Sequence, residues 1–135
     1  MFELLLGHLV GDYLLQTEDM AINKSKNTNH GWAAAFIHCF IYTWAICLFT
    51  WKFDLLWFVL VFASHFFIDK FALANYYMHY IKGKSMKDYV NKDILVGTRT
   101  TRYDIIEGGF TTIVYTVCDN TMHLLLMWGA YKILY

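Results

Sequence analysis

A chain of 135 residues is the size of a single domain. Its hydrophobic share of 58%, aromatic share of 19% and charged share of 16%, with a mean hydropathy of +0.36, exclude the ordinary soluble balance of about 45–50% apolar and about 25% charged residues. The composition is that of a membrane protein, and a formal net charge of zero argues against a nucleic-acid binder of the basic kind.

Cys39, Cys47 and Cys118 all fall in apolar segments without a Cys-x-x-Cys spacing, so they read as membrane-buried thiols. The first residues lack a basic start, and His8 and Asp12 interrupt their apolar run, which does not read as a cleaved signal. With no proline, no low-complexity tract and no repeat at solenoid periods, one transmembrane domain over 1–135 is expected.

Residues 2–19 are apolar at nearly every position except His8, Asp12 and Gln16, whose i, i+4, i+8 spacing predicts one polar stripe on a first spanning helix. At ~1.5 Å per residue this segment barely covers a ~30 Å hydrocarbon layer. A polar loop follows over 17–31. Residues 32–51 predict a second helix carrying His38 and, one turn on, Tyr42. Beyond Lys52-Phe53-Asp54 a third helix is predicted over 55–81. It is longer than a bilayer requires, so that Tyr76, Tyr77, His79 and Tyr80 emerge at the interface. Residues 82–104 are basic and polar, either a short helix lying on the membrane surface or a solvated loop. The fourth helix, 105–134, opens on Gly108-Gly109, which permits close helix approach. It places Thr112, Thr116 and Asn120 on one stripe and Tyr115, Asp119 and His123 on the next.

The expected fold is therefore an all-α, polytopic transmembrane four-helix bundle with a polar cytoplasmic loop between helices 3 and 4. Eight of the eleven Lys and Arg residues lie in the loops 17–31 and 82–104, which puts both loops in the cytoplasm and both termini outside an inner membrane. Lys70 snorkels toward the cytoplasmic end, while Lys24 and Lys26 serve topology unless their loop folds back over the bundle.

Inside this apolar frame stand three pairs at i, i+4: His8 with Asp12, His65 with Asp69, and Asp119 with His123. Such pairs share a helix face, and an aspartate at the centre of a span costs roughly 2.5–3.5 kcal/mol unless it meets a partner or a cavity. The His-to-Asp order reverses in the helix that runs the other way. Every Asp is thereby expected at one mid-membrane depth, with its His about one turn, or ~6 Å, further out, and His38 entering near the aspartate layer. Convergent carboxylates and imidazoles in a bundle suit a divalent metal, with Zn foremost and Fe, Mn or Mg as alternatives. The candidate ligands are His8, Asp12, His38, His65, Asp69, Asp119 and His123. Asp12, Asp69 and Asp119 are candidate general bases, and Gln16, Tyr42 and Asn120 candidate substrate contacts. The same pairs also fit buried interhelical hydrogen bonds, or a proton-coupled solute path.

His8-Leu-Val-Gly-Asp12-Tyr-Leu-Leu-Gln16-Thr, Met20-Ala21, a lysine at Lys24 or Lys26, His38 with Tyr42, Ser64-His65-Phe-Phe-Ile-Asp69, and Asp119-Asn120 with His123 occur in this order. In this pattern the chain resembles the domain of unknown function 3307 family of small bacterial and phage membrane proteins, over nearly its whole length. The Ser-His-x-x-x-Asp element alone is similar to one in membrane-bound metal-dependent hydrolases, which implies His65 and Asp69 as metal ligands. The family pattern tends to have Gln where this chain has Asn120.

The leading expectation is a hydrolase-like metal-site protein acting on a phosphorylated or lipid-linked substrate in or beside the bilayer. A small oligomeric transporter of a polar, nucleobase-like metabolite and a phage-type membrane interaction protein are the alternatives. The expected partners are lipid, a small-molecule substrate and other copies of the chain, without nucleic acid.

Overall fold

The computed structural model describes residues 1–83 and 102–135, and the side chains of all of these except Lys82 and 102–106. The expectation of a surface helix or loop within 82–104 lies largely outside the described residues. Those described are all-helical, without a strand.

Helix α1, Phe2–Leu9, is built from leucines with Glu3 in its first turn, where a carboxylate favours the helix dipole. It passes into a π-helical turn, Val10–Leu14, closed by the Leu15 N–H donating to the Val10 carbonyl at 3.0 Å. The widened turn ends the helix well before Asp19, so 2–19 is not one continuous span. Thr17 then starts a new helix, α2 (Glu18–Asn23), by accepting from the Met20 N–H at 3.3 Å. Acidic Glu18 and Asp19 occupy its first turn.

Helix α3 runs over Asn29–Thr50, capped by Thr28, and stops at Trp51, whose φ of 53° is left-handed. Asp54 caps α4 (Leu55–Lys70) by accepting from the Trp57 N–H at 2.8 Å. The expected single helix over 55–81 is broken at Phe71 and Ala72. Ala72 has a φ of 48°, a conformation an L-residue cannot propagate as a right-handed helix, and α5 begins afresh at Leu73–Lys82. The last helix, α6, covers Arg102–Leu134.

These elements form two compact units, 1–72 with 122–135, and 73–121; α6 contributes to both. In the first, α1 and its π turn pack along α3, and α3 packs along α4. The contact is close because Gly7 and Gly11 carry no side chain. A Cβ on Gly11 would stand 2.6 Å from the Tyr42 ring and 3.2 Å from the Tyr42 Cα, and one on Gly7 would stand 3.2 Å from the Ile46 Cα. An apolar cluster of Leu4, Tyr42, Ile46, Cys47, Trp57, Val61 and Met127 fills one end. The charged and imidazole side chains of His8, Asp12, His38, His65, Asp69 and His123 are also buried, whereas Phe36, Ile37, Phe40, Leu48, Leu56, Val59 and Phe67 are exposed.

In the second unit, Thr112, Thr116 and Thr121 return their hydroxyls to the carbonyls four residues earlier, Gly108, Thr112 and Val117, at 2.9, 2.9 and 2.6 Å. Thr112 and Thr116 of the expected stripe, and Thr121 on the opposite face, thus bond to their own helix. Among the described residues, α3 alone is by itself long and apolar enough to cross a membrane, and Leu55–Lys70 with Leu73–Ile81 passes the same test only if the bent pair is counted as one span.

The close approach at Gly11 yields a stability test. Gly11→Ala is expected to destabilise the first unit by about 1–3 kcal/mol through overpacking against Tyr42. Gly129→Ala, where a Cβ meets nothing within 4 Å, is expected to be neutral or to stabilise by up to about 1 kcal/mol. Thermal unfolding of both variants in detergent checks the contrast.

Candidate metal centre

The first unit gathers four ligand atoms from three segments of the chain. Asp12 comes from the π turn, His38 from α3, and His65 with Asp69 from successive turns of α4. Asp12 Oδ1 stands 3.1 Å from His38 Nε2 and 3.2 Å from His65 Nε2. Asp69 Oδ2 stands 3.1 and 3.2 Å from the same two nitrogens, which are themselves 3.0 Å apart. All four ligand atoms lie within 4.8 Å of one another, and all four residues are buried.

Each imidazole Nε2 carries at most one hydrogen, yet here each faces two carboxylate oxygens and the other Nε2. The contacts cannot all be hydrogen bonds, and Asp12 Oδ1 is buried without a hydrogen-bond donor. A buried carboxylate oxygen without a donor is costly, and a cation at the common centre would satisfy it together with the three other atoms. The size is compatible: with five separations of 3.0–3.2 Å and the two carboxylate oxygens within 4.8 Å of each other, a common centre lies about 1.9–2.5 Å from each atom, a range that includes the roughly 2.0–2.2 Å of Zn bound to imidazole nitrogen or carboxylate oxygen. Two imidazoles and two carboxylates are a donor set that divalent first-row ions accept.

Each carboxylate uses its second oxygen to hold another histidine. Asp12 Oδ2 meets His8 Nδ1 at 3.2 Å, and Asp69 Oδ1 meets His123 Nε2 at 3.3 Å. His8 and His123 therefore stand behind the aspartates, as orienting partners of the kind that tune metal ligands. Tyr42 joins this layer. Its hydroxyl lies 2.8 Å from His8 Nδ1 and donates to Met127 Sδ at 3.2 Å, while its ring stacks on His65 with centroids 3.5 Å apart.

Lys24, assigned to topology by sequence, belongs to the centre. Its Nζ donates to Asp69 Oδ2 at 2.7 Å, because the segment after α2 folds back over the bundle. That segment is tied down by Lys70, whose Nζ donates to the Lys26 carbonyl at 2.7 Å and lies over the Trp32 ring. Gly31 is moulded against the same carbonyl, since a Cβ there would stand 2.2 Å from it. Lys70 thus holds backbone in place instead of reaching outward. The Gln16 amide fits between the parts, with its nitrogen toward the Asp12 carbonyl at 2.7 Å and its oxygen toward Lys24 Nζ at 3.2 Å.

Of the expected ligands, Asp12, His38, His65 and Asp69 converge, and His8 and His123 stand one step behind. Asp119 and Asn120 are half-buried on α6, just before His123 in the chain, and belong to the second unit. For Lys24 the sequence left two readings, topology alone or a loop folded back over the bundle, because its charge, in a loop full of polar residues, carries no periodic signal; its contact with Asp69 is that of the second.

A family model described as "Protein of unknown function (DUF3307)" matches residues 1–134. The chain belongs to this family. No curated protein and no solved structure matches it.

Tyr42→Phe keeps the ring on His65 and removes the hydroxyl shared by His8 and Met127. It is expected to lower unfolding free energy by about 0.5–1.5 kcal/mol, measured by denaturant titration in detergent.

Proposed function

We propose that this protein is a four-span inner-membrane metalloprotein in which the Asp12–His38–His65–Asp69 centre holds one divalent ion, Zn foremost, for hydrolytic chemistry on a phosphorylated or lipid-linked substrate. The observation that carries this reading is the convergence of four ligand atoms from three segments distant in sequence, all within 4.8 Å of one another and each imidazole nitrogen 3.0–3.2 Å from the other three. The membrane setting is supported by the arrangement of polarity: ionisable groups lie inside the first unit, and phenylalanine, leucine, isoleucine and valine side chains cover the outside of α3 and α4. The broken first and third segments are compatible with spanning, since irregular backbone is tolerated at membrane depth where protein covers it. The Lys- and Arg-rich loops then lie in the cytoplasm and both termini outside.

A divalent ion in the centre would supply Lewis acidity toward a phosphoryl or carbonyl oxygen. The chain's own groups divide the remaining work. His38 and His65 fix the centre from α3 and α4, and Tyr42 holds the His65 ring flat by stacking. Asp12 is the carboxylate placed to take up a proton, because its outer oxygen faces His8, which in turn faces the Tyr42 hydroxyl. Both contacts are made by the same His8 nitrogen, Nδ1, so His8 and Tyr42 hold the carboxylate in place.

The test is elemental analysis of protein purified in detergent without chelator. Wild type is expected to carry one Zn, Fe, Mn or Mg per chain, His38→Ala and His65→Ala to carry none, and His8→Ala and His123→Ala to bind about 10–100-fold more weakly. Metal-loaded wild type should hydrolyse a phosphate monoester that His65→Ala leaves intact. Wild type that binds no divalent ion under any loading condition overturns the proposal.

A further inference from the structure

We infer that Lys24 is an internal counter-ion which an incoming divalent ion displaces, so that filling the centre swings this side chain outward and opens the way to Asp69; the inference rests on the metal reading above. The first ground is that both cations address one atom. Lys24 Nζ donates to Asp69 Oδ2 at 2.7 Å, and the same oxygen faces His38 Nε2 and His65 Nε2 at 3.1 and 3.2 Å, on the side where the ion would be held. Two cations on one oxygen repel strongly where water is excluded. A divalent ion also balances both carboxylates when the imidazoles are neutral. The negative charge that now pairs with Lys24 is then taken up by the ion, and the hold on the ammonium weakens.

The second ground is which partner can move. Asp69 is 2% exposed, and His38 and His65 are 1% exposed, each fixed on a packed helix. The Lys24 side chain is 16% exposed and belongs to a stretch, 13–30, that contains no buried residue. Segments so lightly packed are the ones that open at least cost, so the ammonium is the group that yields. The third ground is that the backbone need not follow. Lys70 holds the Lys26 carbonyl and lies over the Trp32 ring, and Gly31 is moulded against the Asn23 and Lys26 carbonyls, contacts that a change of charge at the centre leaves in place. The lysine stem therefore pivots on a fixed turn. An empty centre is covered by Lys24, and a filled one is open on that side, so that a substrate reaches the ion only once the ion is in place.

Two measurements in detergent test the inference. In the first, wild type is treated briefly with a water-soluble amine-acylating reagent, with and without saturating Co2+, and acylation of Lys24 is read by peptide mass spectrometry against that of Lys26, which is exposed. The Lys24 to Lys26 ratio should rise several-fold with Co2+; an unchanged or lower ratio overturns the inference. In the second, Co2+ is titrated by its visible absorption. Lys24→Met should bind it about tenfold more tightly than wild type, because no internal cation has to leave, and Lys24→Arg about as wild type does. A lysine that only supports the centre predicts equal or weaker binding by Lys24→Met, and that result overturns the inference. Wild type that binds no Co2+ overturns the metal reading itself, an outcome distinct from ion binding that leaves Lys24 covered. Should Lys24→Met fail to fold, the acylation ratio of wild type decides alone.

Discussion

Two carboxylates buried side by side are the constraint on which the first unit depends. Asp12 and Asp69 share the same two imidazoles on their inner oxygens, and each turns its outer oxygen to a further histidine. Neither charge can be left without compensation away from water. The histidines, Lys24 and the π turn that presents Asp12 are therefore parts of one electrostatic solution, and the helices must hold them to within a few tenths of an ångström. Gly11 meets this demand directly, because only a residue without a Cβ lets the π turn reach Tyr42 and bring Asp12 opposite Asp69.

The rest of the unit follows from putting polar groups inside. Apolar side chains are displaced outward onto α3 and α4, a surface that suits lipid and penalises water. Tyr42 reconciles the two regions. Its ring belongs to the apolar cluster, its face stacks on His65, and its hydroxyl completes His8. A single residue thus couples core packing to the orientation of two histidines, which is why its hydroxyl and its ring separate experimentally.

Much of this was legible in the chain. The i, i+4 spacing put His8 with Asp12 and His65 with Asp69 on shared faces, and both pairs are in contact at 3.2 Å; His38, expected near the aspartate layer, stands 3.1 Å from both aspartates. The two expected layers are less distinct than helix geometry suggests, since His65 Nε2 reaches both aspartates. His8 and His123, expected as ligands, contact the outer carboxylate oxygens instead. The π turn and the break at Ala72 were not legible, because backbone irregularities of this kind leave no periodic trace in an apolar run. The two readings of Lys24 stayed open for a related reason: whether a loop folds back is decided by contacts such as Lys70 with the Lys26 carbonyl, which are 44 residues apart.

By itself the sequence determined the helical class, the membrane-like composition, and which ionisable residues had to find partners, because burial makes an unpaired aspartate or histidine prohibitively costly. Only the tertiary structure decided which oxygen of each aspartate faces which imidazole, and that a lysine from the loop closes the set. Those choices are made by distances of about 3 Å between segments far apart in sequence, where hydrogen-bond and ligand geometry is steep and sequence spacing is silent.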